Sequence, residues 1–210
     1  MKKLDSPLIV VVDYGMGNLR SVAKSIEAVG GSVIVSNKRE EIKNADKIVL
    51  PGVGAFAEGM NNLNKLGVIE TLYEEVKLKK KPFLGICLGM QLLATESYEH
   101  GIYKGLNWIS GKVKLLGADG IKVKIPHIGW DDVKIIKKHK IFNTFSENTI
   151  FYFVHSYYFE CDDKEFVIAT CNYGIEFPAA ICRDTIMATQ FHPEKSQSSG
   201  LKLLRNFINA

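Results

Sequence analysis

Residues 81–91 read KPFLGICLGMQ. The apolar run Phe83–Ile86 is typical of a short buried strand, and Cys87 follows it with a glycine two positions away on either side. Glycines are favoured there because a tight strand–turn–helix brings neighbouring backbone close to a residue whose own backbone is strained. The segment therefore predicts a nucleophile elbow. Its thiol would lie at a helix N-terminus, which favours the thiolate, and the Leu88 amide would point at a developing oxyanion.

A free thiol is more often a buried packing residue, and this is the alternative for Cys87. The glycines on both sides favour the catalytic interpretation. The other three cysteines, Cys161, Cys171 and Cys182, lack such a setting and are expected to pack in the core. The four thiols form no CxxC pair and no Cys/His cluster with zinc-type spacing, so neither a metal site nor a disulfide framework is indicated.

The segments before the elbow alternate between strands and helices. Leu8–Val12 is a β-branched run that ends at a turn, and apolar residues at helical spacing follow from Leu19 to Val29. Shorter runs predict strands at Val33–Val35 and Ile48–Leu50, and Leu63–Val76 has the spacing of one long amphipathic helix. Buried strands that alternate with helices predict an α/β fold, with a parallel sheet covered on both faces and ligands bound outside the strands' carboxyl ends.

After about residue 105 the sequence changes to short β-rich runs separated by Gly, Asp and Asn. The predicted strands are Trp108–Leu116, Ile121–Ile125, Ile150–Val154, Phe166–Thr170 and Ile186–Phe191. We interpret them as antiparallel additions to the same sheet, closed by a C-terminal helix from about Ser199 to Ile208. No repeat, low-complexity tract or linker divides the chain, so we expect residues 1–210 to form a single domain.

A thiol nucleophile needs a base, and the base needs a group that orients it. The best candidate lies in residues 190–196, which read QFHPEKS. Pro193 restrains His192 to an extended conformation, so that His192 and Glu194 project to the same side and the carboxylate fixes the imidazole tautomer. Four other histidines lie in polar stretches or beside apolar segments and are expected to be exposed or structural: His100, His139, His127 and His155.

Residues 46–56 read DKIVLPGVGAF and end a strand in a Gly-x-Gly loop. This loop, Gly52-Val53-Gly54, can present backbone amides to an anion, and a plain turn is the alternative. It is not a P-loop, because no Gly-Lys-Ser/Thr follows, and Gly15-Met16-Gly17 lacks the third glycine of a dinucleotide fingerprint. No cofactor is therefore expected.

Composition excludes several classes of protein. The 210 residues are 46% hydrophobic and 24% charged, as in ordinary globular domains. The net charge of +4 is modest, and the basic stretches at 77–81 and 134–140 contain no Phe, Trp or Tyr to stack on a base, so no nucleic acid is expected. The apolar run at 8–12 is too short for a signal peptide or a membrane span, so we expect a cytoplasmic protein that does not bind membranes.

Together, these segments resemble a known family. The motifs cover nearly the whole chain: VDYGMGNLRSV, LPGVGAF, GICLGMQLL, IPHIGW, YFVHSYYF, YGIEFPAAI and TQFHPEKS. GICLGMQ and QFHPE are similar to the class I, or triad, glutamine amidotransferases. PGVGAF, PHIGW and FVHSYY look most like the glutaminase subunits of imidazole glycerol phosphate synthases. The resemblance implies a class I glutamine amidotransferase fold, with a flavodoxin-like, mainly parallel central sheet flanked by helices and antiparallel strands added in the C-terminal half.

The resemblance also implies roles for single residues. Cys87 would attack the amide carbon of L-glutamine, His192 would move protons to the leaving ammonia and from water, and Glu194 would support His192. The implied glutamine-binding residues are Gly52, Leu88 and Gln91, with the backbone around Ser156 and Tyr157. In this family the PGVG loop, here Gly52, Val53 and Gly54, supplies an oxyanion donor only after a peptide rearrangement. The free subunit is therefore expected to be nearly inactive.

The implied partner is a (βα)8-barrel cyclase subunit that forms a heterodimer with this chain through a region that includes Trp130. It would use the ammonia to make imidazole glycerol phosphate and an aminoimidazole carboxamide ribotide in histidine biosynthesis. Two segments depart from the family pattern: Asp131 replaces the usual Asn, and Ala188-Thr189 replaces the usual Gly-Val. Because Asp131 lies in the partner region, a paralogous glutaminase that feeds a surface-glycan (amino sugar) amidotransferase is the alternative.

Two other classes of protein fit the same core, namely a stand-alone cysteine hydrolase and a non-catalytic binding module. A protease or esterase does not need Gln91 together with QFHPE. A module that had lost activity is expected to have lost Cys87, His192 or Glu194, and all three are present.

Overall fold

The computed structural model describes residues 6–118 and 120–210. Its first half alternates strands and helices around a parallel sheet. The strands are β1 (Leu8–Val12), β2 (Ser32–Ser36), β3 (Lys47–Gly52) and β4 (Phe83–Cys87). The helices are α1 (Leu19–Ala28), α2 (Arg39–Asn44), α3 (Phe56–Leu66), α4 (Ile69–Tyr73), which continues as one wider turn over Glu74–Leu78, and α5 (Leu88–Gln91). The predicted strand–helix alternation is confirmed here.

The second half is rich in strands. They are β5 (Glu96–Ser97), β6 (Tyr103–Lys104), β7 (Gly111–Leu115), β8 (His127–Ile135), β9 (Asn148–His155), β10 (Tyr157–Cys161), β11 (Val167–Asn172), β12 (Glu176–Arg183) and β13 (Ile186–Thr189). Single 3-10 turns lie at Lys140–Phe142, Lys164–Phe166 and Pro193–Lys195, and helix α6 (Gln197–Ile208) closes the chain. The C-terminal helix is therefore confirmed, and it starts two residues earlier than predicted.

The main sheet has nine strands in the order β2-β1-β3-β4-β13-β12-β11-β8-β9. Neighbouring strands from β2 to β13 run parallel, and those from β13 to β9 are antiparallel, so the antiparallel additions are confirmed. The central strands are mainly apolar because helices cover both faces. Val10 and Val12 pack on one face, and Ile9 and Val11 pack on the other with residues of α1 and α6.

Part of the second half does not join this sheet. Strands β10, β7, β5 and β6 form a separate four-stranded sheet, which corrects the expectation of one continuous sheet. The run Ile121–Ile125 is not a strand, and Ile121 and Ile125 are both exposed. Its alternation of apolar residues with lysine satisfies the strand pattern, but no neighbouring strand pairs with it.

The helix predicted over Leu63–Val76 is divided in two. Gly67 adopts φ 64°, and its N–H bonds to the carbonyls of Asn64 and Leu63, which ends α3. A left-handed glycine with these bonds is a strong helix stop, and it outweighs apolar spacing that continues on both sides. Helix α2 was not predicted, because its six residues bury only Ile42.

This topology brings three connections to one edge of the sheet. Parallel β1, β3 and β4 end there, followed by the turn at residues 13–18, the Gly52-Val53-Gly54 loop and Cys87. Among the described residues, none of the helices has the length and apolar content needed to cross a bilayer.

Candidate active site

Cys87 lies at the sharp turn between β4 and α5. Its φ of 53° is in the left-handed region, which costs a non-glycine residue about 1–3 kcal/mol. A Cβ at Gly89 would lie 1.8 Å from the Leu50 carbonyl oxygen, and one at Gly85 would lie 2.7 Å from the Gly89 carbonyl oxygen. Both glycines are therefore required by close backbone contacts, as the sequence pattern predicts.

His192 and Glu194 lie on the 3-10 turn that follows β13. His192 Nδ1 is 2.7 Å from Glu194 Oε1, and both side chains are buried. The His192 N–H donates to the Tyr152 carbonyl, and the Ser196 hydroxyl donates to the His192 carbonyl at 2.6 Å. These bonds fix the turn against β9. His192 is therefore held at its backbone by these bonds and at its ring by Glu194.

The electrostatics of this pair favour a charged imidazole. Burial alone would lower the pKa of His192, but the thiolate charge of Cys87 and the hydrogen bond and charge of Glu194 raise it to about 10. Because Glu194 occupies Nδ1, Nε2 is the nitrogen left for Cys87. Within the described part of the chain, Nε2 and Glu194 Oε2 are buried with no hydrogen-bond partner. The arrangement can hold a thiolate next to an imidazolium.

Two glutamines connect the thiol to the neighbouring strands. Gln190 Nε2 donates to Cys87 Sγ at 3.6 Å, and Gln91 Nε2 lies 3.1 Å from Gln190 Oε1 and 2.8 Å from the Tyr157 carbonyl oxygen. Sequence reasoning selected Gln91 and missed the role of Gln190. Its position two residues before His192 was the available signal, since alternate residues of an extended strand face the same side.

A cavity of about 520 Å³ opens over Cys87. The predicted residues that line it are Val53, Gly54, Cys87, Leu88, Gln91, Ser156 and Tyr157. The lining residues that were not predicted are Glu99, His100, Pro126, Val154, His155 and Lys195. The free glutamine of the implied reaction would meet a carboxylate and an ammonium group here, in addition to the thiol.

Four predicted site residues do not line the cavity. Gly52 is buried, and so are the side chains of His192 and Glu194. A Cβ on Gly52 would come within 2.1 Å of the Tyr14 hydroxyl, so only glycine fits. Trp130 lies away from the cavity on β8, 48% exposed, with its ring edge against Tyr152.

Tyr14 was not predicted as part of the site. Its hydroxyl is buried beside the Gly52 backbone with no hydrogen-bond partner among the described residues. Burial, with a smaller contribution from the charge of Cys87, raises the pKa of Tyr14 far above its usual range. The phenol is therefore a neutral donor next to the loop that follows β3.

The other cysteines differ from Cys87 in their surroundings. Burial raises the pKa of Cys161 and Cys171 to about 12 and that of Cys182 to about 11. These thiols are neutral at ordinary pH, and Cys182 contacts His139 Nε2 at 3.3 Å. The core positions predicted for Cys161 and Cys171 are confirmed, whereas Cys182 is only half-buried.

The remaining histidines divide between surface and interior. His100 is exposed at the cavity rim, and His139 is half-buried. His127 and His155 are buried against Phe153 and Phe177. No group of three or more His, Cys, Asp or Glu side chains in residues 6–118 and 120–210 is arranged to hold a metal ion.

Comparison with known proteins gives a consistent result. The family model described as glutamine amidotransferase class-I matches residues 10–210. The imidazole glycerol phosphate synthase subunit HisH 1 of Campylobacter jejuni is 49% identical over 201 residues, covering 96% of this chain and 99% of the relative. The subunit HisH of Geobacter sulfurreducens is 48% identical over 203 residues, covering 95% of this chain and 97% of the relative.

Solved structures agree on the fold. A crystal structure of a glutamine amidotransferase superposes with a TM-score of 0.74 at 18% identity, covering 95% of this chain and 97% of that chain. Identity at this level is evidence for the fold alone. The match of the family model to residues 10–210 and the two nearly full-length relatives show that this chain belongs to the class I glutamine amidotransferases.

Proposed function

We propose that this chain is the glutaminase subunit of an imidazole glycerol phosphate synthase and supplies ammonia for L-histidine biosynthesis. The observation that carries the chemistry is the strained, glycine-flanked Cys87 beside an imidazole that Glu194 holds at 2.7 Å. The names of the Campylobacter and Geobacter relatives support the choice of synthase. We further propose that residues 1–210 act as one glutaminase domain.

The reaction proceeds in two halves. The Cys87 thiolate attacks the side-chain amide carbon of glutamine, and the protonated His192 gives its proton to the nitrogen as the carbon–nitrogen bond breaks and ammonia leaves. Water then attacks the thioester, and neutral His192 takes a proton from it. The carbon–sulfur bond breaks, glutamate leaves and the thiolate–imidazolium pair is restored. Glu194 supports the imidazolium in both halves.

The tetrahedral intermediates need hydrogen-bond donors for their oxyanion. The Leu88 N–H follows Cys87 directly at the start of α5 and is one donor. A peptide of the Gly52-Val53-Gly54 loop is the second, once its N–H turns toward the cavity. The loop has the freedom to do so, because Gly54 already has φ +107°.

The cavity suits a free amino acid. Glu99 and Lys195 place a carboxylate and an ammonium group in the lining, the complements of the α-amino and α-carboxylate groups of glutamine. Gln91 anchors the backbone at Tyr157, so that the Ser156–Tyr157 segment presents its backbone groups to the substrate. No cofactor is required for amide hydrolysis by this set of residues.

The partner that receives the ammonia is a (βα)8-barrel cyclase, which forms a heterodimer with this chain. The surface that supports this is an exposed apolar patch on β8 and β9, formed by Ile128, Trp130 and Ile150. Their exposed fractions are 58%, 48% and 52%, and strand alternation and cross-strand pairing place all three on one face.

A glutamine-derived diazoketone tests the assignment of the nucleophile. We expect it to label Cys87 alone and to stop glutamine hydrolysis, because burial keeps the other three thiols neutral at ordinary pH. Cys87→Ser is expected to abolish hydrolysis and keep the fold, and Cys171→Ser is the matched control that retains activity. Labelling at Cys161, Cys171 or Cys182 with full activity of the Cys87→Ser protein would overturn the proposal.

A further inference from the structure

A chain of polar groups leads from the cavity wall to the surface of β8. His155 Nδ1 lies 2.8 Å from the Tyr157 carbonyl oxygen, and His155 Nε2 lies 3.2 Å from His127 Nδ1. The other nitrogen of His127, Nε2, lies 3.3 Å from Asp131 Oδ2. Strand alternation explains the last contact, since residues four apart on β8 face the same side. Asp131 is the partly exposed end of this chain.

The same chain of polar groups reaches the nucleophile, Cys87, at its inner end. The Tyr157 carbonyl accepts a second hydrogen bond from Gln91 Nε2, and the Gln91 amide also contacts Gln190, which donates to Cys87 Sγ. The contacts therefore run without a gap from Asp131 to the thiol. None of the steps of glutamine hydrolysis described above uses His127 or Asp131.

The contacts between the Tyr157 carbonyl and the Asp131 carboxylate fix the number of protons that these polar groups must share. Its two ends, the Tyr157 carbonyl and the Asp131 carboxylate, can only accept, so the three contacts between them need three protons. Neutral His155 and neutral His127 carry two protons in total. The third must lie either on His127, as an imidazolium paired with the Asp131 carboxylate, or on Asp131 itself.

We propose that Asp131 and His127 are positioning residues that share one proton and, through His155, hold the Tyr157 carbonyl and Gln91 in the geometry that binds glutamine. This inference rests on the proposed function. When the shared proton leaves, one of the three contacts has no proton. The Asp131 carboxylate then draws Nε2–H of His127 toward itself, His155 turns its remaining proton to His127, and the Tyr157 carbonyl loses a donor.

The neighbouring groups His155 and Cys171 are neutral, so the proton shared by His127 and Asp131 is the one that titrates. His127 is stacked between the rings of Phe153 and Tyr173, at centroid distances of 4.7 and 4.0 Å. Burial, with smaller contributions from the His127 and His192 charges, lowers the pKa of His155 to about 3 against the opposing hydrogen bond to the Tyr157 carbonyl, so His155 is neutral. Cys171 on β11 is neutral as well, because burial and then the charges of Asp131 and Asp132 raise its pKa.

The direction of the pH effect follows from His127. Burial lowers the pKa of His127, and the Asp131 charge opposes this without cancelling it. The shared proton is therefore present on the acid side and leaves as the pH rises. Asn at position 131 removes this requirement, because its amide can donate to Nε2 of a neutral His127.

Histidine ring NMR of the full chain tests the shared proton directly. Between about pH 5 and about pH 8 we expect the His127 ring in the wild type either to lose one proton or to move its single proton from Nδ1 to Nε2, and to keep its proton on Nδ1 throughout in Asp131→Asn. Asp132→Asn is the matched control, because it removes the same charge from the adjacent, exposed position of β8 and should titrate like the wild type. A His127 ring that changes neither its number of protons nor its tautomer in the wild type, or that changes equally in Asp131→Asn, overturns the shared proton.

Glutamine binding tests the link to the substrate. In a Cys87→Ser background, we expect the Kd for glutamine to rise about three- to tenfold over the same pH range, the effect of one lost hydrogen bond. Adding Asp131→Asn should make the Kd constant, and adding Asp132→Asn should not. Equal pH dependence in all three proteins overturns the positioning role. Absence of glutamine binding at every pH instead overturns the proposed function, while the NMR titration still decides the shared proton.

Discussion

At the scale of single residues, the state of His192 decides how the site works. With its pKa raised to about 10, His192 is protonated at neutral pH, and its proton is ready for the leaving ammonia. The negative charge of Cys87 and the contact with Glu194 both maintain this state against the effect of burial. In the proposed mechanism, Glu194 therefore acts on the reaction through His192, whereas His192 transfers the proton itself.

The two residues should differ in their effect on rate. We expect His192→Ala to slow acylation roughly 10⁴- to 10⁶-fold and Glu194→Gln to slow it about a hundred times less. The alkaline limb of the acylation rate, set by His192, should also move to lower pH in Glu194→Gln, because a stabilising charge is gone. Single-turnover acylation measured across pH checks both effects. Equal or reversed losses would mean that the roles are exchanged.

His155 makes a separate prediction about stability. Its folded-state pKa of about 3 lies below the usual 6.5, so its contribution to stability is present above about pH 6.5 and is lost as the pH falls toward 3. The loss should be roughly 3–5 kcal/mol, because the unfolded chain gains a charge that the core excludes. The free energy of unfolding, measured with denaturant at several pH values in this range, should depend less steeply on pH in His155→Gln than in the wild type. His100→Gln, at an exposed histidine, is the control. An unchanged pH dependence of the free energy of unfolding in His155→Gln would contradict the lowered pKa of His155.

At the scale of elements, the nucleophile elbow depends on close packing of backbone. Ala at position 89 would place its Cβ 1.8 Å from the Leu50 carbonyl oxygen, which forces α5 away from β3. We expect Gly89→Ala to lower the free energy of unfolding by about 3 kcal/mol or more and to abolish activity. Gly30→Ala is the comparison, because nothing lies within 4 Å of its Cβ and only its φ of +96° is strained. Equal costs in thermal or denaturant unfolding would exclude backbone contact as the cause.

Local pattern and long-range pairing differ in how well the sequence predicts them. The elbow, the His192–Glu194 turn and the parallel core were predictable, because each depends on residues close together in the chain. The second sheet was not, since β7 pairs with β10, a strand more than thirty residues further on, and neither segment encodes its partner. Gly67 was visible in the sequence, but its left-handed conformation, which ends α3, depends on the packing of the helices that it joins.

The site shows the same division. The residues with reactive side chains, Cys87 and His192, were identified from the sequence. Those that act through position were missed, because Tyr14 and Gln190 acquire their importance only when β1 and β13 lie beside β3 and β4. His155 was expected to be structural, and the structure adds that it lines the cavity.

At the scale of the whole molecule, the proposed activity depends on what turns the Gly52-Val53-Gly54 loop toward the oxyanion. Only the state with an N–H directed into the cavity stabilises the tetrahedral intermediate. A partner bound at the β8–β9 patch, together with its ribonucleotide, can shift the loop only if it binds that state more tightly. Such coupling would restrict ammonia release to the assembled synthase.

The central claim is tested most directly by glutamine turnover of the purified chain, measured alone and then with the (βα)8-barrel cyclase and its ribonucleotide substrate. One missing oxyanion donor is worth about 10²- to 10³-fold in rate, so we expect very slow hydrolysis alone and a rise of at least about a hundredfold in the complex. The ammonia should reach the cyclase without mixing with solvent. High turnover by the chain alone would contradict the coupling, and activation only by an amino-sugar amidotransferase would contradict the assignment to histidine biosynthesis.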